Sequence, residues 1–145
     1  MSKLDALMAR GTDFLGSRVA IMAGAMSWIS ERHLVSAMSN AGGFGVIAGG
    51  AMPPEILSAE IAATKAMTNK PFGVNLTILP SINPPPYAEY LQAIIDSGVK
   101  IVETAGNSPK DFIGRMKDAG ITIVHKCTSV RHALSAERNG VDMIS

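Results

Sequence analysis

From residue 18 onward, short apolar runs alternate with longer amphipathic stretches. The runs RVAIM (18–22), FGVIA (44–48), FGVNLTIL (72–79), KIVET (100–104) and ITIVHKC (121–127) are rich in strand formers and predict strands. The stretches between them, 30–43, 53–68, 86–98, 108–120 and 128–140, predict helices. In the first of these, Ser30 reads as the N-cap, Glu31 suits the positive end of the dipole, and Gly42 or Gly43 supplies the stop. Pro53 and Pro54 fit a first helical turn. Leu57 and Ile61 lie four apart, with Ile56 and Met67 near the same face, and Leu91, Ile94 and Ile95 form one stripe. Ser108 reads as a cap with Pro109 at the first helical position, and Gly120 and Gly140 close the last two helices. The final five residues, VDMIS, open a sixth strand.

Five complete strand–helix units followed by a new strand predict an α/β fold, a parallel sheet covered by helices. Two architectures satisfy the pattern: an open doubly wound sheet and a closed eight-stranded barrel. An open sheet is complete at this length, whereas a barrel takes about 250 residues. The stretch GFGVIA (43–48) matches a G-x-G-x-x-A dinucleotide fingerprint, but it leaves a helix and enters a strand, the reverse of the required context. A helix stop with close packing is the better reading of these glycines.

The 145 residues suit one domain, and 47% hydrophobic residues with a net charge of +1 exclude a disordered chain. No basic or acidic block points to nucleic acid or to an anionic membrane surface. The single cysteine, Cys127, excludes an internal disulfide and fits the cytoplasm. The charged N-terminal stretch does not read as a signal peptide. Residues 34–54 lack charge, but five glycines, Asn40 and two prolines argue against a membrane span.

Candidate chemistry gathers where the predicted strands end, the side on which parallel α/β sheets bind ligands. The first strand runs into AGAMSW (23–28), whose small residues permit close approach to a flat ligand or simply form a tight loop. Asn75 and Thr77 alternate onto one face at the end of the third strand. Lys126 ends the fifth, where it either steadies an anion or extends to solvent. The loop LPSINPPPY (79–87) carries Pro80, Pro84, Pro85 and Pro86 and makes a stiff flap or a plain helix start. His33, His125 and His132 lack metal-ligand spacing and read as surface residues, and Cys127 reads as a small buried one. No serine sits in a G-x-S-x-G elbow.

Four stretches, IMAGAMSWIS, PFGVNLTILP, VETAGNSP and HKCTSVRHALSAERNGVDMIS, together resemble the nitronate monooxygenase-like family, also known as 2-nitropropane dioxygenases. The similarity runs from Arg18 onward and is strongest to the bacterial NADH:quinone reductase branch. It implies a (β/α)8 TIM barrel with FMN at the C-terminal mouth, NADH as reductant, and quinones as acceptors. In the monooxygenase branches it implies oxidation of alkyl nitronates. It places flavin contacts at Ala25, Met26, Ser27, Thr77 and Lys126, with Asn75 nearby. It makes the proline flap a nicotinamide gate, with Pro80 over the cofactor and Ile82 in the gate.

Two departures bear on those roles. The family's Gly-Gly-Met-Gln stands here as Gly24, Ala25, Met26 and Ser27, so a backbone contact survives and a glutamine contact does not. Ile82 replaces a polar gate residue, which bears on the choice between NADH and NADPH. The resemblance also implies that the active-site histidine and the phosphate-binding loops follow the strand begun by VDMIS. Residues 1–145 are therefore expected to be an incomplete, truncated FMN-dependent barrel domain without a catalytic residue of its own. Its five or six strands would expose two edges, making it marginal, aggregation-prone or self-associating, or able to complement another piece. Two other readings remain: an inactive fragment acting only by association, and a complete open-sheet nucleotide-binding module.

Overall fold

The computed structural model describes residues 2–80 and 82–145. Among the described residues two helices are followed by alternating strands and helices: α1 (Lys3–Leu15), α2 (Arg32–Asn40), β1 (Gly45–Ile47), α3 (Pro54–Met67), β2 (Phe72–Ile78), α4 (Tyr87–Ser97), β3 (Ile101–Gly106), α5 (Lys110–Asp118), β4 (Thr122–His125), α6 (Val130–Arg138) and β5 (Met143–Ile144). Every strand pair is parallel, and the order across the sheet is the order along the chain. A doubly wound sheet reverses its strand order at a switch point. Among the described residues none reverses, so the sheet has the arrangement of consecutive units of a (β/α)8 barrel.

The stretch at 18–22, expected as a full strand, makes only an isolated bridge, Met22 to Phe44. Three backbone hydrogen bonds still run it alongside β1: Val19 N–H donates to Gly42 O, Phe44 N–H to Ile21 O, and Ala23 N–H to Phe44 O, each at 2.9 Å. It is thus an irregular edge partner rather than a regular strand.

Strand alternation divides the core into two faces. On one, Val74, Leu76, Val102 and Ile123 pack with Leu57, Ile61, Leu91, Ile94 and Met116 of the helices. Leu57 and Ile61 are buried as their spacing predicts, but Ile56 and Met67 are half exposed, because the helix turns them off the sheet. On the other face, Phe44, Val46, Ile101 and Val124 meet Leu15 and Phe14 of α1. Ser2 and Asp5 form a capping box at the start of α1. Gly45 is required by contact rather than by φ: a side chain there would sit 2.6 Å from the Val35 carbonyl oxygen of α2. Together with Gly42 at φ +98°, this bears out the packing-and-stop reading of the glycine motif.

Two expected caps differ. Glu31, not Ser30, caps α2, its carboxylate accepting from the His33 and Leu34 N–H groups. Ser30 is instead buried in the preceding loop, where its hydroxyl takes the Met26 N–H and donates to Gly24 O. Pro109 caps α5, one residue later than expected, and Ser108 accepts from Asn139.

Buried Glu60 of α3 takes the guanidinium of Arg32, the first residue of α2, with Nε at 3.0 and 3.1 Å from the two carboxylate oxygens. Those hydrogen bonds hold the Glu60 carboxyl below its ordinary range against the opposing effect of burial. The pair's contribution is present above the unfolded carboxyl's pKa, near 4.5, and is lost as pH falls through the lower folded value. Glu60→Gln is expected to cost about 1–3 kcal/mol at pH 7, below the about 3–5 kcal/mol of a fully buried pair because Arg32 is partly exposed. Urea melts at pH 7 and pH 3 check this: the gap between wild type and variant should shrink at the acidic pH.

Candidate functional site

At the C-terminal ends of the strands one polar line crosses the sheet. Sheet register sets Asn75 of β2 beside Glu103 of β3, and Glu103 beside Val124 of β4. Two residues beyond Asn75 and Val124, on the same face, come Thr77 and Lys126. Thr77 Oγ1 donates to Asn75 Oδ1 at 2.7 Å, and Asn75 Nδ2 donates to Glu103 Oε2 at 2.8 Å. Lys126 Nζ stands 3.1 Å from Glu103 Oε1.

The line has a fixed direction. A carboxylate only accepts, so Asn75 must present its amide N–H to Glu103 and its carbonyl to Thr77. The Thr77 proton is then committed to Asn75, which leaves its lone pairs as acceptors. At the other end, Glu103 Oε1 is buried and lacks a hydrogen-bond partner, although the ammonium is close. An ammonium carries three N–H groups, so pairing with Glu103 leaves Lys126 with donors for a further acceptor. Glu103 itself is 1% exposed, whereas the Lys126 side chain is 43% exposed. Lys126 is therefore neither a free rim cation nor a purely solvated one.

The loop after residues 18–22 reaches this line from across the sheet. A side-chain carbon placed on Gly24 would lie 3.9 Å from Lys126 Nζ. Four strand spacings separate these segments, roughly 19 Å if the sheet were flat, far beyond that contact. The sheet therefore curls, and its concave face brings Gly24 to Lys126. Ala25 packs on the core beneath, against the cluster of Phe44, Val46 and Val124.

The structure thus brings together Asn75, Thr77 and Lys126, with the Gly24 and Ala25 backbone beside them. Met26 and Ser27 lie exposed on the turn that follows, which contains Trp28 at φ +61°. Pro80 and Ile82 are exposed, Ile82 almost fully, so neither side chain is packed over the polar line. Ser81, within the flap, lies outside the described residues. The flap's base is pinned where the Tyr87 hydroxyl accepts from Leu79 N–H at 3.0 Å and donates to Leu79 O at 3.2 Å.

Two expectations change. His125 is buried rather than on the surface, its Nδ1 2.9 Å from the Thr104 hydroxyl, and burial lowers its pKa. His33 and His132 are exposed as expected. Cys127 is only partly buried, enough to raise its thiol pKa. Beside β3, β4 and α6 lies a cavity of about 300 Å³, lined by Asn107, Ser108, His125, Thr128 and His132 among others. Among the described residues no group of side chains could hold a metal ion, and no helix is long and apolar enough to cross a membrane. Glu103 is the residue that the sequence reading passed over. Its signal was an acid two residues after Ile101 in a strand with apolar residues on both faces.

Comparison with known proteins places this geometry. The nitronate monooxygenase family model matches residues 9–144. A dehydrogenase of Mycobacterium tuberculosis, acting on (3aS,4S,5R,7aS)-5-hydroxy-7a-methyl-1-oxo-octahydro-1H-indene-4-carboxyl-CoA, is 30% identical over 90% of this chain and 36% of its own length. A probable nitronate monooxygenase of Staphylococcus saprophyticus is 27% identical over 95% of this chain and 48% of its own. FabK from Thermotoga maritima superposes with a TM-score of 0.86 at 32% identity, over 93% of this chain and 42% of that one. The chain thus spans less than half the length of each of these relatives. A match over nearly all of its residues, on a parallel sheet of barrel order with the polar line at its strand ends, shows that the chain belongs to the nitronate monooxygenase family.

Proposed function

We propose that this chain forms the isoalloxazine-facing part of an FMN-dependent oxidoreductase site, with NADH as reductant and a quinone as electron acceptor. The observation that carries the proposal is the convergence of Gly24 and Ala25 with Thr77, Asn75 and Lys126 on one concave rim. The rim offers an acceptor at Thr77 and a cationic donor at Lys126. A pyrimidine-dione edge, with its ring N–H between carbonyl oxygens, has the complementary pattern. The buried line beneath fits this group because it leaves acceptor capacity at Thr77 and donor capacity at Lys126.

Bound there, FMN supplies hydride acceptance from a nicotinamide and electron delivery to an acceptor. The chain's own residues bind and orient. Gly24 and Ala25 let the backbone approach a flat ring. Lys126 places positive charge beside an electron-rich edge. Met26 and Ser27 extend the rim, and Pro80 and Ile82 form the flap from which a nicotinamide gate would close. NADH and quinone follow from the resemblance of the four sequence stretches. A second reading, oxidation of alkyl nitronates, is favoured by the family match itself and by the nitronate monooxygenase relative. A site in the cytoplasm and association through exposed strand edges belong to the same proposal.

Titration of the purified chain with FMN, followed by flavin fluorescence and the visible spectrum, tests it. Saturable binding with a perturbed flavin spectrum is the expected result. A spectrum that stays that of free FMN at every protein concentration would sink the proposal for these 145 residues.

A further inference from the structure

We infer that Glu103 is the positioning residue of this rim, setting both its hydrogen-bond polarity and its charge. The inference rests on the flavin reading above but concerns a residue that the family resemblance did not assign. Glu103 lies beneath the rim, 1% exposed, and touches both arms of it. Through Oε2 it fixes the Asn75 amide, and through Asn75 it fixes the Thr77 hydroxyl as an acceptor. Through Oε1 it stands against Lys126 at 3.1 Å.

The electrostatic consequence is specific. A ligand on the rim meets an ammonium whose charge is largely offset by a carboxylate directly behind it. Because Glu103 is buried, that offset is poorly screened by solvent or salt. The rim therefore provides a directed donor without a full unit of net positive charge. For a flavin, whose reduced form is richer in electrons along the pyrimidine edge, Glu103 limits the preference for the reduced over the oxidised state. Replacing the carboxylate with an amide of the same shape removes the offset. It also ends the one-way constraint on Asn75, since an amide can donate as well as accept.

The test uses Glu103→Gln, with Glu103→Asp as the charge-retaining companion and circular dichroism to verify folding. The first readout needs no flavin: the rate at which acetic anhydride acylates Lys126, mapped by mass spectrometry against the other lysines. E103Q is expected to raise that rate several-fold, while E103D stays closer to wild type. The second readout is the ratio of affinities for reduced and oxidised FMN. E103Q is expected to raise it about tenfold, which is about +30 mV for a two-electron couple. An unchanged Lys126 rate would overturn the inference. A raised rate with an unchanged affinity ratio would overturn the charge-setting role. If neither protein bound FMN, the flavin reading and the charge-setting role would fall together, and the acylation rates would still decide whether Glu103 holds Lys126. A merely structural role for Glu103 would lower stability without moving either readout in the stated direction.

Discussion

Replacing Phe44 with alanine is expected to remove about 3–5 kcal/mol from the unfolding free energy, the range for truncating a buried aromatic. Phe44 is fully buried on the concave face, among Leu15, Val46, Ile101 and Val124. Its ring also fills the space over Gly73, where an added side-chain carbon would stand 3.0 Å from Phe44 Cε1. Its backbone binds the stretch at 18–22 to the sheet through two hydrogen bonds. Neighbouring side chains cannot collapse into the vacancy without moving both α1 and that stretch, so the cavity cost stays near its upper range. At roughly 0.05–0.15 kcal/mol per residue, a chain of this size has only about 7–22 kcal/mol to lose. Urea unfolding followed by circular dichroism measures the effect. The control is Ile56→Ala on the half-exposed face of α3, expected to change stability by no more than about 0.5 kcal/mol.

Lys126→Met is the second large effect, and it has two separable parts. Loss of the ammonium removes the rim's cationic donor, so FMN affinity should fall at least about tenfold, or about 1.4 kcal/mol. Loss of the counter-charge also strands a buried carboxylate, one oxygen of which already lacks a hydrogen bond. Breaking a buried pair from one side costs about 3–5 kcal/mol, and the partial exposure of Lys126 moves the expectation to about 2–3 kcal/mol. The double variant E103Q/K126M separates the two parts. It should recover most of the stability, because no charge is left buried, while FMN binding stays weak. If the double variant were as unstable as K126M, the buried-charge explanation would be wrong.

Much of the fold was legible because parallel strands buried on both faces read as continuous apolar runs. The runs at 72–79 and 121–127 are of this kind, and they became β2 and β4. The run at 18–22 looked the same but sits at the edge, where only its inner neighbour orders it. Helix α1 escaped notice because it precedes the first strand-like run, not for want of periodicity, which matches that of α4. The choice between open sheet and barrel could not come from periodicity, since both alternate identically; strand order decided it. At the site, alternation correctly placed Asn75 and Thr77 on one face. It could equally have placed Glu103 there by counting from Ile101. What it could not show was the reach of Gly24 to Lys126, because that contact depends on sheet curvature.

The neighbour-only strand order also bears on how the chain acquires its structure. Paired residues lie only 19 to 28 positions apart along the chain, from Val124 with Met143 to Val74 with Val102. Each loop to be closed is therefore of similar, moderate length, and no strand pairing has to wait for a distant part of the chain. Each unit can dock on the one before it as the chain leaves the ribosome, needing nothing made later. The approach of Gly24 to Lys126 spans about a hundred residues, as does the packing of Leu15 and Phe14 of α1 with Val124. The scaffold can thus form progressively during synthesis, while the ligand-facing rim is completed only after the fourth strand is in place.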